Sequence, residues 1–335
     1  MGRDLREQTY CCSLTRMKAM LVLALLACAQ SAKPIPSATV ASTIRQPHEA
    51  HIPVEGAELY VREIGQGPAI IVLHGGRDFD HSYLVPELDR LSDSYHLIYY
   101  DQRGRGRSAD HVQPEDVTLA SDLSDLDKVR EHFDLDSVTL LGHSWGTVLA
   151  LEYALRYSQR VSRMILMNPA PASISDYKQL RSDWLEKRPA DMEQRKIISA
   201  TPAYQQGDPA AVTAYYRIHF KPAFARPENY EKFMTRLSAS FTREGVVKAR
   251  AVEARLMTET WSKPGYNLLP KLKTVTIPAL VISGDHEFIP AATAEHISQA
   301  LPNARLVTLR NCGHFTYLEC PVPVHKDIDK FFQSK

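Results

Sequence analysis

From residue 51 onward, short apolar segments alternate with longer segments of helical pattern, and this order restricts the chain to few architectures. The apolar segments are continuous and are bounded by Gly, Asp or Pro. Such runs are typical of strands that are buried on both faces of a sheet. Their alternation with helices predicts an α/β fold with a mostly parallel, eight-stranded sheet that carries helices on both faces. The predicted strands cover residues 51–54, 58–64, 69–73, 96–100, 137–141, 164–167, 279–283 and 305–309.

A long helical interval interrupts this alternation between the strands at 164–167 and 279–283. It is charged and aromatic and has no strong strand pattern. We expect it to form a helical cap over residues 170–272, inserted into a core made of residues 51–169 and 273–335. The insertion follows the carboxyl end of a strand, the edge where parallel sheets bind ligands. A cap over that edge is favoured over simple additional helix packing.

The motif Gly142-His143-Ser144-Trp145-Gly146 lies between the predicted strand at 137–141 and a helical segment. A sharp strand-to-helix turn needs small residues on both sides, and it exposes the serine hydroxyl at the edge of the sheet. The following helix directs backbone N–H groups at the same point, which favours developing negative charge. We therefore predict that Ser144 is a nucleophile rather than a helix cap, and that His143 is a pocket residue.

A serine nucleophile needs a base, and in this architecture an acid follows the serine and a histidine follows the acid. His314 comes directly after the last predicted strand, so it is the expected base. The acid is expected after the strand at 279–283, where Asp285 and Glu287 both qualify. Either carboxylate would hold the imidazole tautomer and stabilise the imidazolium.

The segment Leu73-His74-Gly75-Gly76 ends the predicted strand at 69–73. Glycine at this point allows the backbone to come close to a reacting carbonyl group. We expect the N–H groups of Gly76 and Trp145 to form an oxyanion hole, and His74 to have a structural role.

These motifs, together with Asp101-Gln-Arg-Gly-Arg-Gly-Arg-Ser108 and Gly313-His314-Phe315, resemble the α/β-hydrolase fold in order and spacing. The combination is most similar to the proline iminopeptidase group of serine peptidases, over about residues 51–333. The resemblance implies release of N-terminal residues from small peptides through an acyl-enzyme intermediate, without a cofactor. It also favours Glu287 as the triad acid over the runner-up Asp285, although Asp is commoner at that position.

The chain departs from this group at positions that concern the substrate. Arg77-Asp78 follows H-G-G where the group usually has Pro-Gly, and the Trp-Glu element whose glutamate binds the substrate amine has no match. Glu253 weakly resembles a second amine-binding glutamate and is a candidate pocket residue, against the alternative of an exposed charge on a cap helix. A carboxylesterase of small esters and a non-catalytic binding protein on a hydrolase scaffold are the alternative functions.

The composition argues against several other classes of protein. The chain has 335 residues, 44% of them hydrophobic, and a formal net charge of +1. Such a balance gives no electrostatic reason for nucleic-acid binding. No metal-ligand spacing is present, and Gly104–Ala109 fits a dinucleotide fingerprint without the helix that this fingerprint requires. We expect a small-molecule or short-peptide substrate, no metal and no cofactor.

The amino-terminal 32 residues are predicted to be a signal peptide, with Met17 as a possible true start and residues 33–50 as a linker. The apolar stretch at 19–29 follows Arg16 and Lys18 and is too short for a membrane span. We therefore expect a secreted or periplasmic protein. A lipoprotein acylated at Cys28, or a buried amino-terminal helix, is the alternative. An oxidising compartment would permit the remaining cysteines, Cys312 and Cys320, to pair, but buried free thiols are the favoured expectation.

Overall fold

The computed structural model describes residues 46–334, in which eight strands form one sheet. The sheet order is β1-β2-β4-β3-β5-β6-β7-β8. The strands β1 and β2 form an antiparallel hairpin, β2 pairs with β4 in antiparallel orientation, and every later pairing is parallel. The strands are β1 His48–Val54, β2 Ala57–Ile64, β3 Ala69–Leu73, β4 His96–Tyr100, β5 Val138–His143, β6 Val161–Met167, β7 Ala279–Gly284 and β8 Ala304–Leu309.

Helices cover both faces of this sheet, and further helices lie between β6 and β7. The parallel strands are buried on both faces: Ile71 and Leu73 belong to one hydrophobic core, and Ile70 and Val72 to the other. The predicted fold class is therefore confirmed. The helices are α1 Leu119–His132, α2 Trp145–Arg156, α3 Ile174–Lys187, α4 Pro189–Ser199, α5 Pro202–Gln205, α6 Pro209–Phe220, α7 Pro227–Ala239, α8 Arg243–Glu259, α9 Leu269–Leu272, α10 Ala291–Ala300, α11 Thr316–Glu319 and α12 Pro321–Gln333.

The cap consists of helices α3 to α8, which lie between β6 and β7. Several of these helices begin at a residue whose side chain accepts a backbone N–H bond, such as Ser173 of α3 and Thr242 of α8. Helices α4 to α7 also have a proline in their first turn, where a missing N–H costs nothing. Local sequence thus sets where each cap helix starts.

The order of the strands places the ends of β3 and β5 next to each other. The chain passes from β3 to β4 on one side and returns to β5 on the other, so the strand order reverses at this point. Ligands of open α/β sheets bind at such a reversal, beyond the carboxyl ends of the strands. The segments after β3, β5, β7 and β8 carry the predicted triad and oxyanion-hole residues.

The first strand begins at His48, earlier than the predicted start at residue 51. Residues 48–50 pair with β2 although they are mostly exposed, so they carry no apolar pattern that would indicate a strand. The predicted signal peptide, the Cys28 acylation site and most of the linker lie outside the described residues. None of the helices in residues 46–334 is long and apolar enough to cross a bilayer.

Candidate active site

Ser144 lies at the sharp turn between β5 and α2. Its φ angle of 52° falls in the left-handed region, which costs free energy for a residue other than glycine. The turn packs tightly against β3, because a Cβ atom on Gly146 would lie only 2.1 Å from the carbonyl oxygen of Leu73. The Ser144 N–H donates to the Met167 carbonyl oxygen at 3.0 Å. The neighbouring strands therefore hold this strained turn in place.

A chain of hydrogen bonds connects this turn to the segments after β3 and β8. The Gly75 N–H donates to the Tyr83 hydroxyl oxygen at 2.6 Å, and that hydroxyl lies 2.8 Å from His143 Nδ1. His143 Nε2 lies 3.0 Å from the carbonyl oxygen of His314. Because a carbonyl only accepts, His143 carries its proton on Nε2 and accepts from Tyr83 at Nδ1. Burial keeps the pKa of His143 well below its usual value, so the ring stays neutral.

His314 and Glu287 lie together at the carboxyl edge of the sheet. The distance from His314 Nδ1 to Glu287 Oε1 is 2.8 Å, and the two side chains are only 3% and 6% exposed. The second carboxylate oxygen of Glu287 accepts a hydrogen bond from Asn168 Nδ2 at 2.9 Å. The Ile289 N–H donates to Oε1 at 3.2 Å. These bonds fix the carboxylate so that its Oε1 accepts a hydrogen bond from the Nδ1–H group of His314.

Asp285 has a different environment from Glu287. Its side chain is 36% exposed, and it lies 2.7 Å from the Nδ1 atom of its neighbour His286. It also accepts the Cys312 N–H at 3.3 Å, which ties the end of β7 to the segment after β8. The structure therefore brings Glu287, and not Asp285, to the His314 ring.

The segment that carries His314 is fixed from several sides. The His314 N–H donates to the Ala223 carbonyl oxygen at 2.8 Å. The Glu319 carboxylate accepts the Gly313 N–H at 2.6 Å and the Arg226 N–H at 2.7 Å. Burial raises the pKa of Glu319, and its backbone hydrogen bonds oppose this effect. These contacts join the cap to the loop that carries the predicted base.

Cys312 and Cys320 form a disulfide that spans the same loop, with their Cα atoms 6.2 Å apart. The expectation of two free thiols is therefore wrong. The chain turns at Asn311, which has a φ of 53°, and the short helix α11 then returns Cys320 to the end of β8. Sequence spacing alone did not reveal this return, because it depends on a turn and a helix of only four residues.

The two residues predicted to form an oxyanion hole line the same cavity as Ser144. Trp145 is the first residue of α2, so its N–H has no acceptor within the helix. Gly76 has a φ of 63°, and a Cβ atom at this position would lie 2.1 Å from the Phe79 ring. The role of both residues as donors to an oxyanion stays a prediction.

Core and cap residues together enclose a cavity of about 280 Å³. This volume lies near the lower end of the range for small-molecule sites, ~300–1,000 Å³. Ser144 and His314 both line the cavity, so the structure brings the predicted nucleophile and base to one chamber. The predicted pocket residues also border it. The core contributes Gly76, His143 and Trp145, and the cap contributes Glu253.

This arrangement of strands, turn and cavity corresponds to a known family. A model of the alpha/beta hydrolase fold matches residues 68–321. The chain belongs to the α/β-hydrolase fold family. It is a hydrolase related to proline iminopeptidases.

The related proteins are similar to this chain over most of their length. The proline iminopeptidase of Saccharolobus solfataricus is 26% identical over 265 residues, which cover 76% of this chain and 81% of that protein. The enzyme of Lactobacillus delbrueckii subsp. lactis is 28% identical and covers 81% and 93%, respectively. The crystal structure of the Mycobacterium smegmatis proline iminopeptidase has a TM-score of 0.64 at 21% identity, covering 85% of this chain and 98% of that one.

In this α/β hydrolase, the loop after β4 has a structural role. Asp101 accepts bonds from the His81 ring at 2.6 Å and from the Arg107 N–H at 2.9 Å. Burial disfavours the Asp101 charge, but the His81 and Arg107 contacts outweigh it and lower its pKa to about 2. Asp80, His81 and Asp101 form the one cluster of potential metal ligands in residues 46–334. Since Asp101 is already occupied by these bonds, the cluster supports the turn and does not suggest a metal site.

Charged residues from distant parts of the sequence lie together in the cavity, and sequence reasoning did not predict this cluster. Arg77 forms an ion pair with Glu253, which is 176 residues away along the chain, and its guanidinium lies 4.5 Å from the centre of the Trp261 ring. Next to them, Asp78 accepts a hydrogen bond from the Tyr216 hydroxyl. Burial, followed by the nearby charge of Glu253, raises the pKa of Asp78 to about 7. Two acidic groups thus face one basic group at this end of the cavity.

Sequence reasoning missed three residues that position the site. Asn168 holds Glu287, Tyr83 connects Gly75 to His143, and Glu319 holds the His314 loop. Asn168 directly follows β6 at the carboxyl edge of the sheet, which was a usable signal. Tyr83 and Glu319 lie in short helices among many similar residues, and their sequence carries no comparable signal.

Proposed function

We propose that this α/β hydrolase is a serine hydrolase that uses Ser144 as nucleophile, His314 as base and Glu287 as the acid of the triad. The observation that carries the proposal is the 2.8 Å contact between His314 Nδ1 and Glu287 Oε1 at the wall of the cavity that Ser144 enters. A histidine with Nδ1 held by a carboxylate exposes a basic Nε2, as nucleophilic catalysis by serine requires.

The reaction proceeds in two half-reactions. His314 Nε2 takes the Ser144 proton while Oγ attacks the substrate carbonyl, and the N–H groups of Gly76 and Trp145 receive the negative charge of the tetrahedral intermediate. His314 then gives its proton to the leaving group, whose bond to the carbonyl carbon breaks. Water, deprotonated by His314, attacks the acyl-enzyme. The bond to Ser144 Oγ then breaks, His314 returns the proton to Oγ, and the acid is released.

For the substrate, release of an N-terminal residue from a small peptide is the first candidate. The relatives named proline iminopeptidase support it, and so does the charge at the Arg77 end of the cavity. There, Asp78 and Glu253 supply two carboxyl groups against one guanidinium. A substrate ammonium group near Asp78 would favour its ionised form, because opposite charges lower the pKa of a carboxyl group.

Hydrolysis of small esters is the second candidate, and the Arg77–Glu253 ion pair favours it. Glu253 is the residue that resembles an amine-binding glutamate, yet its charge is matched by Arg77 inside the chain. The guanidinium is also held over Trp261, so displacing it by a substrate ammonium loses both contacts. A neutral ester needs no such displacement.

A panel of substrates separates these candidates and tests the nucleophile. Wild type and Ser144→Ala are compared on 4-nitrophenyl acetate, longer-chain 4-nitrophenyl esters and proline β-naphthylamide. We expect wild-type turnover and a fall to background in Ser144→Ala. Cleavage of the arylamide supports the peptidase function, whereas ester turnover without it supports the esterase. Undiminished activity in Ser144→Ala contradicts the proposal.

We also propose that the protein is secreted or periplasmic. The basic and apolar segment at residues 16–29 supports this, and so does the Cys312–Cys320 disulfide, a bond that persists in oxidising compartments. Mass spectrometry of the mature protein tests it. A new amino terminus near residue 32 is expected, an acylated Cys28 identifies the lipoprotein alternative, and an intact chain from Met1 or Met17 contradicts export.

A further inference from the structure

The cavity contains a buried arginine that the proposed reaction does not use. Arg195 of α4 is only 9% exposed and lines the cavity. Its guanidinium lies over two aromatic rings, 4.5 Å from the centre of Tyr215 and 5.2 Å from that of Trp184. Nη2 donates to the Tyr215 hydroxyl at 2.6 Å. The aromatic contacts hold the cation in a fixed position.

Arg195 has no acidic partner among residues 46–334. No carboxylate oxygen of the described chain lies within 4.0 Å of its guanidinium, and its Nε has no hydrogen-bond acceptor there. The nearest arginine in sequence, Arg188, is different because Asp191 forms an ion pair with it. A buried charge without a partner is costly, so residues of this type are normally paired or bind a ligand.

Aromatic rings connect Arg195 to the predicted base. The Trp184 ring lies 4.8 Å from His219 and 5.5 Å from Phe288, and Phe288 lies 4.6 Å from His314. Each of these side chains lines the same cavity. Ring contacts therefore connect Arg195 with His314 along the cavity wall, whereas Arg77 contacts Trp145 and Trp261.

The surroundings of this wall are positively charged. His219 is half-buried, and its pKa is held well below the usual value by burial and then by Arg195, His314 and other nearby basic groups. Its Nδ1 has no hydrogen-bond partner in the described structure. The exposed Arg181 also borders the cavity, and it forms no ion pair within residues 46–334. This end of the chamber thus attracts anions.

We propose that Arg195 is the centre of an anion subsite that binds a carboxylate on the leaving group of the substrate. The inference rests on the proposed serine hydrolase function. Because His314 gives its proton to the leaving group, the wall beyond His314 faces that part of the substrate. With the acidic residues Asp78 and Glu253 near Arg77, the cavity is complementary to a dipeptide whose amine and carboxylate are both free.

The test compares matched acid and amide substrates. One pair is 4-acetoxybenzoate and 4-acetoxybenzamide, whose leaving phenols carry a carboxylate and a neutral amide, respectively. The other pair is prolyl-alanine and prolyl-alaninamide. We expect kcat/KM of wild type to favour the acid of a cleaved pair by at least tenfold, mainly through KM. The preference should fall to about one in Arg195→Met and persist in part in Arg195→Lys.

Arg217→Met is the matched control, because Arg217 is also on the cap but is exposed and paired with Glu231. It should keep the wild-type preference. Turnover of neutral 4-nitrophenyl acetate should change less than about threefold in Arg217→Met, and thermal unfolding shows that every arginine variant is folded. Equal rates on acid and amide in wild type, or a preference that survives Arg195→Met, would overturn the proposal.

A binding experiment keeps this inference separate from the reaction. Calorimetric titration with 4-hydroxybenzoate and 4-hydroxybenzamide measures the subsite in Ser144→Ala protein, which cannot turn over a substrate. Tighter binding of the acid, lost in the Ser144→Ala/Arg195→Met double variant, supports the subsite even if no hydrolysis is found. Equal affinities for acid and amide contradict the subsite while leaving the hydrolase function intact.

Discussion

Replacing Glu287 with glutamine tests how the acid controls the protonation of His314. Glu287 Oε2 accepts from Asn168 Nδ2, and Asn168 cannot turn over, because its Oδ1 accepts the Thr316 hydroxyl at 2.6 Å and its Nδ2 also donates to Gly313. A glutamine NH₂ at the Oε2 position would therefore face another NH₂. At the Oε1 position the glutamine NH₂ would oppose only the Ile289 N–H, which is 3.2 Å away and therefore farther than Asn168 Nδ2 is from Oε2. We expect the amide to turn its NH₂ group toward His314.

This orientation forces the wrong tautomer of the base. The glutamine NH₂ would donate to His314 Nδ1, which places the ring proton on Nε2. A protonated Nε2 cannot accept the Ser144 proton. Loss of the correct tautomer in a serine triad reduces kcat about 10⁴-fold. At 1.36 kcal/mol per decade this equals about 5 kcal/mol of transition-state stabilisation. Steady-state hydrolysis of 4-nitrophenyl acetate measures it, with thermal unfolding as the check on folding.

Two further variants make the prediction specific. Asp285→Asn is the control and should retain activity within about threefold, because Asp285 does not contact the His314 ring. In the double variant Glu287→Gln/Asn168→Asp, the new carboxylate accepts from the glutamine NH₂ and turns its oxygen toward His314. We expect at least a tenfold recovery over Glu287→Gln alone. A greater loss in Asp285→Asn than in Glu287→Gln would refute the assignment of the acid.

Three other changes test separate parts of the site. Gly146→Ala places a Cβ atom 2.1 Å from the Leu73 carbonyl oxygen, so it should destabilise the fold by about 3 kcal/mol in denaturant unfolding; an unchanged midpoint would contradict the close packing. Tyr83→Phe leaves the buried Gly75 N–H without an acceptor and should lower the free energy of unfolding by about 1–3 kcal/mol. An unchanged free energy of unfolding would contradict the importance of this hydrogen-bond chain. Because its pKa is raised to about 7, Asp78 is mostly uncharged below that pH and cannot pair with a substrate ammonium group there. The ratio of kcat/KM for proline β-naphthylamide to kcat/KM for 4-nitrophenyl acetate should therefore rise as the pH increases through 7. Asp78→Asn should remove this rise, and a ratio that is independent of pH in wild type would contradict an amine-binding role.

The features predicted from the sequence are those that depend on short, continuous segments of the chain. Each buried strand is a continuous apolar run, and the strand at 69–73 was placed with the bounds that β3 has. The turn at Ser144 has its small residues within five positions, and the topology then brings the segments after β7 and β8 to the same edge. Patterns of this kind depend on local sterics and burial, so one sequence is enough to predict them.

Contacts between distant segments could not be read in the same way. The Arg77–Glu253 pair joins the loop after β3 to a cap helix, and the disulfide depends on how a four-residue helix returns to β8. The buried Arg195 looks like an ordinary charged residue of an amphipathic helix. Each of these features depends on how the cap lies on the core, and no short segment of sequence encodes that arrangement.

The most direct test of the proposed mechanism is to identify the residue that a fluorophosphonate modifies. Such a probe reacts with a serine only where a base and oxyanion donors activate it. Peptide mapping by mass spectrometry should find one adduct, on the peptide that contains Ser144, and His314→Ala should greatly slow its formation. An unmodified protein, an adduct on another residue, or equally fast labelling in His314→Ala would contradict the claim that Ser144 and His314 act together.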